Sequence, residues 1–490
     1  MQRPGGLVCA KCRGALRADG EELVCMACRT RYPVIDGIPS FAAQGVAPAI
    51  LPGCALSVVI PALNEAASLD QVLPAVEAAL TSLKISHELV VVDGGSTDKT
   101  QEVVRRHGAR LVTQKLPGFG GACRAGFEQS RGEYVLTMDA DGSHDPSFVG
   151  DLWTARGKAE VVIASRYVPG GAAFMPGWRS LLSRILNVSF RRGLSLPVMD
   201  LSSGYRLYLR SALRQLKLGA TDFDILEEIL IRALAAGYAV HEIPFQYRAR
   251  LAGKSHVRLF KFGISYLRTF LAMWRLRNSI ASADYDARAF DSLVPLQRYW
   301  QRRRHQVVTR LATGVGQVLD VGCGSSKILG SNTTWVGLDI QMHKLRYARR
   351  YGNPLVQGSI FDLPFADGSF DGVVCSEVIE HIPAEEKPFN EMLRVLKPNG
   401  RLILGTPDYD KWSWRALEWL YARVSPGGYA DEHITHYSRE NLTTYLQGKG
   451  FAVESVDYVG GSEMIFSLRK LPPMASPVPA QPVRSALRAA

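Results

Sequence analysis

This chain of 490 residues has no run of about 18 or more uncharged apolar residues, so no helix is expected to cross a bilayer. Its first residues lack the basic-then-apolar pattern of a signal peptide and pass directly into Cys9-x-x-Cys12. Cysteine is scarce and uneven. Four of the eight fall within the first 28 residues, and Cys54, Cys123, Cys323 and Cys375 lie singly in apolar or glycine-rich runs. That distribution is no disulfide framework and fits a reducing, cytoplasmic compartment. Acidic residues are missing from two long windows, Val161 to Met199 and Ile243 to Ala283, which nevertheless hold many arginines. The net charge of +12 favours an anionic partner, whether nucleic acid, acidic lipid or a phosphorylated substrate, with a basic surface that serves solubility alone as the other reading. Aromatics are not interleaved with these bases as in a stacking platform, which argues against specific nucleic-acid binding.

What is present centres on Tyr134-Val-Leu-Thr-Met-Asp139-Ala-Asp141. The apolar run predicts a buried strand that delivers two carboxylates at its end, where open α/β sheets gather ligands. Hard divalent cations such as Mg²⁺ or Mn²⁺ take a few carboxylate oxygens and share their remaining positions with phosphate and water. Asp139 and Asp141 are therefore candidate ligands of a metal that holds a diphosphate.

Cys9, Cys12, Cys25 and Cys28 form CxxC-x12-CxxC, the spacing of two knuckles that present four thiolates to tetrahedral Zn²⁺. Four soft ligands without a neighbouring histidine predict a closed structural site, and so short a segment depends on the metal for its folding. With the trailing RYPVIDGIPSF, this stretch resembles the zinc-ribbon activator subunit of tRNA and rRNA methyltransferases.

From Leu56 onward, apolar strands alternate with helical patterns, which predicts a mostly parallel sheet covered by helices. Strands are expected at Leu56–Ile60, Glu88–Val92, Arg110–Thr113 and Tyr134–Met138, with a helix over Ser68–Leu83. The blocks SVVIPALNEAASL, VVDGGSTDKT, GFGGACRAG, TMDADGSHDP, IASRY, SSGYRLY and FDILEEILIRALAAGYAVHEIPFQYRARLAGKSH follow in order over residues 55–275. Together they resemble the family 2 glycosyltransferases of GT-A fold, and within them the dolichyl- or polyprenyl-phosphate mannosyltransferases. The resemblance implies that Glu65 and Asp93 contact the base and ribose of a nucleotide sugar, while Asp139 and Asp141 hold Mg²⁺ or Mn²⁺. It also implies that Arg166, Arg206 and Glu228 organise donor phosphate, acceptor phosphate and sugar. The sequence departs from the subgroup at Gly94, where many members carry a second Asp, and at His256, where Lys is usual; Lys254 is the nearby substitute.

A lipid phosphate is already ionised at neutral pH and needs positioning and neutralisation, whereas a sugar hydroxyl needs a general base. The acid-free windows supply Arg166, Arg179, Arg184, Arg191 and Arg192, then Arg248, Arg250, Lys254, Arg258, Lys261, Arg268, Arg275 and Arg277. Phe260 to Trp274 mixes aromatics, leucines and bases, as expected of a helix lying in an anionic membrane surface.

Further on, Val318-Leu-Asp320-Val-Gly322-Cys-Gly324 predicts a strand entering a glycine turn, and Asp339 closes the next strand. Glycines admit a ligand close to the backbone, and the acid can accept both ribose hydroxyls. With GSIFDLPFADGSFDGVVCSEVIEHIP and EMLRVLKPNGRLILGTPD, residues 295–465 resemble the class I S-adenosylmethionine-dependent methyltransferases. That resemblance places Asp320, Gly322 and Gly324 at the methionine end, Asp339 at the ribose, and Ser359-Ile360 or Asp362 at the adenine. His381, His433 and His436 are candidate bases.

The expected protein is α/β throughout its two larger parts: a zinc ribbon (1–45), a GT-A nucleotide-sugar-binding domain (55–280), a Rossmann-like methyltransferase (290–470) and a disordered tail (471–490). The expected activity is hexose transfer, mannose first, from a nucleotide sugar to polyprenyl phosphate at the inner membrane face, with S-adenosylmethionine serving the methyltransferase. Two alternatives stand beside it: transfer to a glycan hydroxyl, with Glu228 as base, and binding of an RNA phosphate backbone. The oligomeric state is left open.

Overall fold

The computed structural model describes residues 5–42, 53–174, 177–248, 259–424 and 433–472. Lys254 and His256, most of the segment 41–55 and nearly all of the tail expected over 471–490 lie outside them.

β-Branched runs within Leu56–Ala62 and His87–Asp93 become strands buried on both faces. They belong to a seven-stranded sheet with the order Val240–Pro244, Val161–Ser165, Arg206–Leu209, Tyr134–Thr137, Leu56–Ala62, His87–Asp93, Arg110–Thr113. All neighbours are parallel except Arg206–Leu209, which is antiparallel to both of its partners. Side-chain alternation divides the strands between two cores. Val59, Val90, Val92, Val135 and Ile163 face helices Phe119–Gln129 and Ile225–Ala235. Val58, Ile60, Val91, Leu136 and Val162 face helix Ala66–Ser82.

The glycine-rich turn at 117–121 is shaped by backbone packing. Gly118 has φ +88°, and a Cβ there would stand 2.3 Å from the carbonyl oxygen of Thr221. The amide of Gly120 donates to that same oxygen. The turn thus ties the start of helix Phe119–Gln129 to the segment leading into helix Ile225–Ala235.

The second large sheet has the order Leu355–Gln357, Val336–Asp339, Val318–Val321, Phe370–Ser376, Leu396–Pro407, Glu463–Lys470, Phe451–Val459. Glu463–Lys470 runs antiparallel to both of its neighbours. The N-terminal unit is a small antiparallel sheet of Leu16–Asp19, Glu22–Cys25, Arg31–Ile35 and Ile38–Pro39.

These units pack on one another. Ser40 bridges in parallel to Gln357 at the rim of the second sheet, and Leu7 bridges to Phe365. Arg13 pairs with Glu391 at 2.8 Å. Arg346, largely buried, reaches Asp36 of the ribbon at 2.5 Å and Gln215 of the first large unit at 2.9 Å. Arg349 pairs with Glu160 at 2.7 Å. Gly118→Ala is expected to destabilise the first large unit by about 2–4 kcal/mol, because neither the left-handed backbone nor the Thr221 carbonyl can yield cheaply. Urea unfolding followed by tryptophan fluorescence measures it.

Candidate active site

The register of the first sheet brings its acidic turns to one edge. Ala62 lies opposite Asp93, the amide of Gly94 donates to Ala62, and Met138 donates to Val59. Chain leaving Ala62, Asp93 and Thr137 therefore emerges on the same side. Glu65 precedes helix Ala66–Ser82, and its Oε2 accepts from Ser68 Oγ at 2.9 Å. Asp93 is fully buried and accepts from the Ser96 amide at 3.1 Å and Gln101 Nε2 at 2.8 Å. Burial opposes its charge, but those donors outweigh it and hold the carboxyl below its ordinary range.

Asp139 and Asp141 are held differently. Asp141 is buried, with Oδ1 taken by the amide of Ser143 at 3.0 Å and its hydroxyl at 2.6 Å. Asp139 keeps a third of its side chain exposed. Beneath it lies His144, a residue that sequence reasoning missed. The amide of Asp139 donates to His144 Nδ1 at 2.9 Å, so the ring proton sits on Nε2, 3.6 Å from Asp139 Oδ2. The imidazole stacks on Tyr205 with centroids 4.7 Å apart. One anchored carboxylate and one accessible carboxylate, braced by a neutral histidine, suit a hard cation shared with a diphosphate.

The basic residues sit elsewhere than expected. Arg166 grips Asp200 with Nε–Oδ2 at 2.8 Å and Nη2–Oδ1 at 2.7 Å, and also donates to Ser202. Arg277 is fully buried and pairs in the same forked way with Asp284. Asp200 and Asp284 are the first residues past the two acid-free windows, so the folded chain supplies the acids that those windows lack. Arg206 is fully buried and donates to the carbonyls of Leu226 and Leu201. Its place is under the site, where it holds helix Ile225–Ala235 to the sheet, and no part of it is exposed to meet an acceptor. Glu228 accepts from the amides of Gly219 and Ala220 and from Arg232. Its carboxylate braces that loop, an arrangement poorly suited to a general base. In the adjacent Glu227, burial pushes the carboxyl up to about 8 against the pull of Arg206, and Oε2 has no hydrogen-bond partner among the described residues.

In the second sheet, Asp320 lies one residue before the end of its strand, and burial together with the charge of Asp339 pushes it up to about 8. Gly322 and Gly324 both have positive φ. A Cβ on Gly322 would stand 2.3 Å from Val378, and one on Gly324 would stand 2.8 Å from Asp286. Asp339 accepts from the amides of Gly324 at 2.8 Å and Gln341 at 2.7 Å. Asp362 pairs with Lys387 at the surface. In the ribbon, the Cys9–Cys28 and Cys12–Cys25 sulfurs are 3.6 and 3.5 Å apart. That is far beyond a disulfide and close to the edge, roughly 3.8 Å, of a tetrahedron with Zn–S bonds of about 2.3 Å.

Burial drives the His144 pKa below the ordinary 6.5, while Asp139 and Asp141 pull it up and Arg166 pushes it down. The unfolded chain therefore takes up this proton first, and stability from the group is present above about pH 6.5 and falls below it. His144→Phe keeps the stack on Tyr205 and is expected to flatten the loss of thermal midpoint between about pH 7 and pH 5. Equal slopes in variant and parent would exclude that role.

Residues 57–217 match the model of glycosyl transferase family 2, residues 319–404 a methyltransferase domain, and residues 7–37 the Trm112p-like proteins. An uncharacterized glycosyltransferase of Mycobacterium tuberculosis is 35% identical over 182 residues, covering 37% of this chain and 82% of that protein. The polyprenol monophosphomannose synthase of Mycolicibacterium smegmatis is 36% identical over 186 residues, covering 34% of this chain and 69% of that protein. A glucosyl-3-phosphoglycerate synthase of M. tuberculosis, crystallised with Mn²⁺, UDP and phosphoglyceric acid, is 26% identical, with a TM-score of 0.38 over 45% of this chain and 79% of that one. The ordered blocks between Leu56 and Leu218, and relatives matched over most of their length, lead to one conclusion: the chain belongs to glycosyl transferase family 2.

Proposed function

We propose that the glycosyltransferase unit moves a hexose, mannose, from a nucleotide diphosphate sugar to polyprenyl phosphate at a membrane surface. The observation that carries the lipid acceptor is a pair of long helices, Gly177–Gly193 and Leu259–Arg277, that leave apolar stripes uncovered. Leu181, Ile185 and Val188 on one helix and Ile264, Leu267, Leu271 and Trp274 on the other are all exposed. Their spacing of three and four residues puts each set on one helical face. The helices meet through Phe190 and Phe270, whose ring centroids are 5.2 Å apart. Arg184, Arg192, Arg268 and Arg275 flank the stripes, as suits an anionic interface. No helix among the described residues is long and apolar enough to cross a membrane.

In this proposal Glu65 and Asp93 take the base and ribose, and Asp139 and Asp141 would hold Mg²⁺ or Mn²⁺, which supplies neutralisation of the departing nucleoside diphosphate. A phosphate oxygen attacks the anomeric carbon as the bond to the diphosphate breaks. Because the acceptor is already ionised, no base is needed, and the engagement of Glu228 with Gly219, Ala220 and Arg232 is no obstacle. A glycan hydroxyl acceptor would need a base, and the Glu228 carboxylate is already engaged by the Gly219–Ala220 loop and Arg232. Arg166, bound to Asp200, sets the shape of the loop beside the donor. The cysteine quartet fits structural Zn²⁺, and the Gly322–Gly324 turn with Asp339 fits S-adenosylmethionine.

Asp141→Asn is expected to cut transfer of radiolabelled sugar into extractable lipid by ~100-fold or more with folding intact. Full retained transfer would refute the metal role. Separately, Leu181→Glu with Leu267→Glu is expected to abolish sedimentation with vesicles containing anionic phospholipid, a result that a protein-docking face would not give.

A further inference from the structure

The methyltransferase unit carries a second group of ligating side chains, away from the acids of the glycosyltransferase edge and from the cysteine quartet. Glu380 and His381 lie in the short turn Ile379–His381 that follows strand Phe370–Ser376. His433 comes from a distant part of the chain. The amides of Ile434 and Thr435 donate to the Glu380 carbonyl at 2.9 and 3.0 Å and fold that segment back over the turn. The His381 and His433 rings then stand with centroids 4.8 Å apart. One potential ligand atom from each of Glu380, His381 and His433 lies within 4.8 Å of the others.

Two further observations point to a ligand here. Glu380 is fully buried, and while its Oε2 accepts from Thr406 at 3.1 Å, its Oε1 has no hydrogen-bond partner among the described residues. That oxygen faces His381 Nε2 at 3.9 Å, too far for a hydrogen bond. A buried carboxylate oxygen without a donor calls for an explanation, and a missing ion is one. The second observation is the bracing of His433. Its Nδ1 stands 2.6 Å from Glu418 Oε1 and 2.9 Å from the Tyr409 hydroxyl. A proton held at Nδ1 by a carboxylate puts the ring's lone pair on Nε2, as in metal-binding histidines whose other nitrogen is steadied by an acid. The local charge agrees. The nearby guanidinium of Arg304 is divided between Glu463 and Glu377, and the ion-pair partner within 4 Å of Glu380 is His381 itself.

We propose that Glu380 Oε1 and one nitrogen each of His381 and His433 form a divalent-cation site beside the glycine turn of the methyltransferase unit. Val378, which packs against Gly322, links the two places. Two imidazoles and a carboxylate suit Mn²⁺, Fe²⁺, Co²⁺ or Zn²⁺. Three protein ligands also leave positions for oxygens, water or a hydroxyl of the methyl acceptor, which is the pattern of a catalytic site rather than a closed structural one.

Mn²⁺ is the probe, because its electron spin echo reports coordinated imidazole nitrogen, which neither the Asp139–Asp141 pair nor the cysteine quartet supplies. The full chain is expected to bind Mn²⁺ with ¹⁴N modulation, and Asp141→Asn to retain that modulation while losing a different equivalent. His433→Ala and, separately, the more accessible His381→Ala are each expected to lose one equivalent of Mn²⁺ and to weaken or abolish the modulation, with unchanged circular dichroism. Should either variant unfold, the other decides. Absence of nitrogen modulation in the parent chain, or equal Mn²⁺ counts in the parent and a folded histidine variant, overturns the proposal. Loss of glycosyl transfer in Asp141→Asn bears on the other site alone.

Discussion

A carboxylate at the end of a buried strand is costly to ionise unless something donates to it, as the raised Asp320 shows, and much of the local architecture around both large sheets follows from that cost. Asp93 is met by Ser96 and Gln101, Asp141 by Ser143, and Asp339 by the amides of Gly324 and Gln341. In each case the donors come from the turn immediately after the strand or from the adjoining element. The turns are therefore shaped by the acids they serve, and the acids arrive already ordered at the sheet edge where a cation or a ribose would be met. Asp139 is the exception that keeps a third of its side chain open, and the buried imidazole of His144 steadies it from behind.

Strand placement was legible in the sequence because uninterrupted β-branched runs leave little alternative to a doubly covered sheet. Leu56–Ala62 and His87–Asp93 extend the expected runs by only a residue or two. The cysteine spacing and the strand-end acids were legible for a similar reason: both are local, and local spacing survives folding. Long-range pairing was not. Counting charges along the chain marked Arg166 and Arg277 as phosphate seekers, yet Asp200 and Asp284, one residue beyond the counted windows, neutralise them. No window statistic reveals which side of a boundary a guanidinium will turn to.

The same limit governs the Glu227–Glu228 pair. Both carboxylates begin one helix and both are buried, so neither periodicity nor burial preference separates them. The loop at Gly219–Ala220 decides the matter by offering two amides to Glu228, and Glu227 is left toward Arg206. Gly118 shows a converse case. A glycine-rich turn at a nucleotide-binding edge suggests room for a ligand, and here Gly118 makes room for the carbonyl of Thr221 instead.

The ribbon's last strand and the residue after it lie along Leu355–Gln357, one of the two outer strands of the methyltransferase sheet, with Ser40 paired to Gln357 and Phe41 donating to its carbonyl. An unprotected outer strand is a template for recruiting other chains. Shielding it in cis makes the small unit a guard against self-association. A chain shortened from its N-terminus would bare that rim and tend to clump, whatever the state of its catalytic groups.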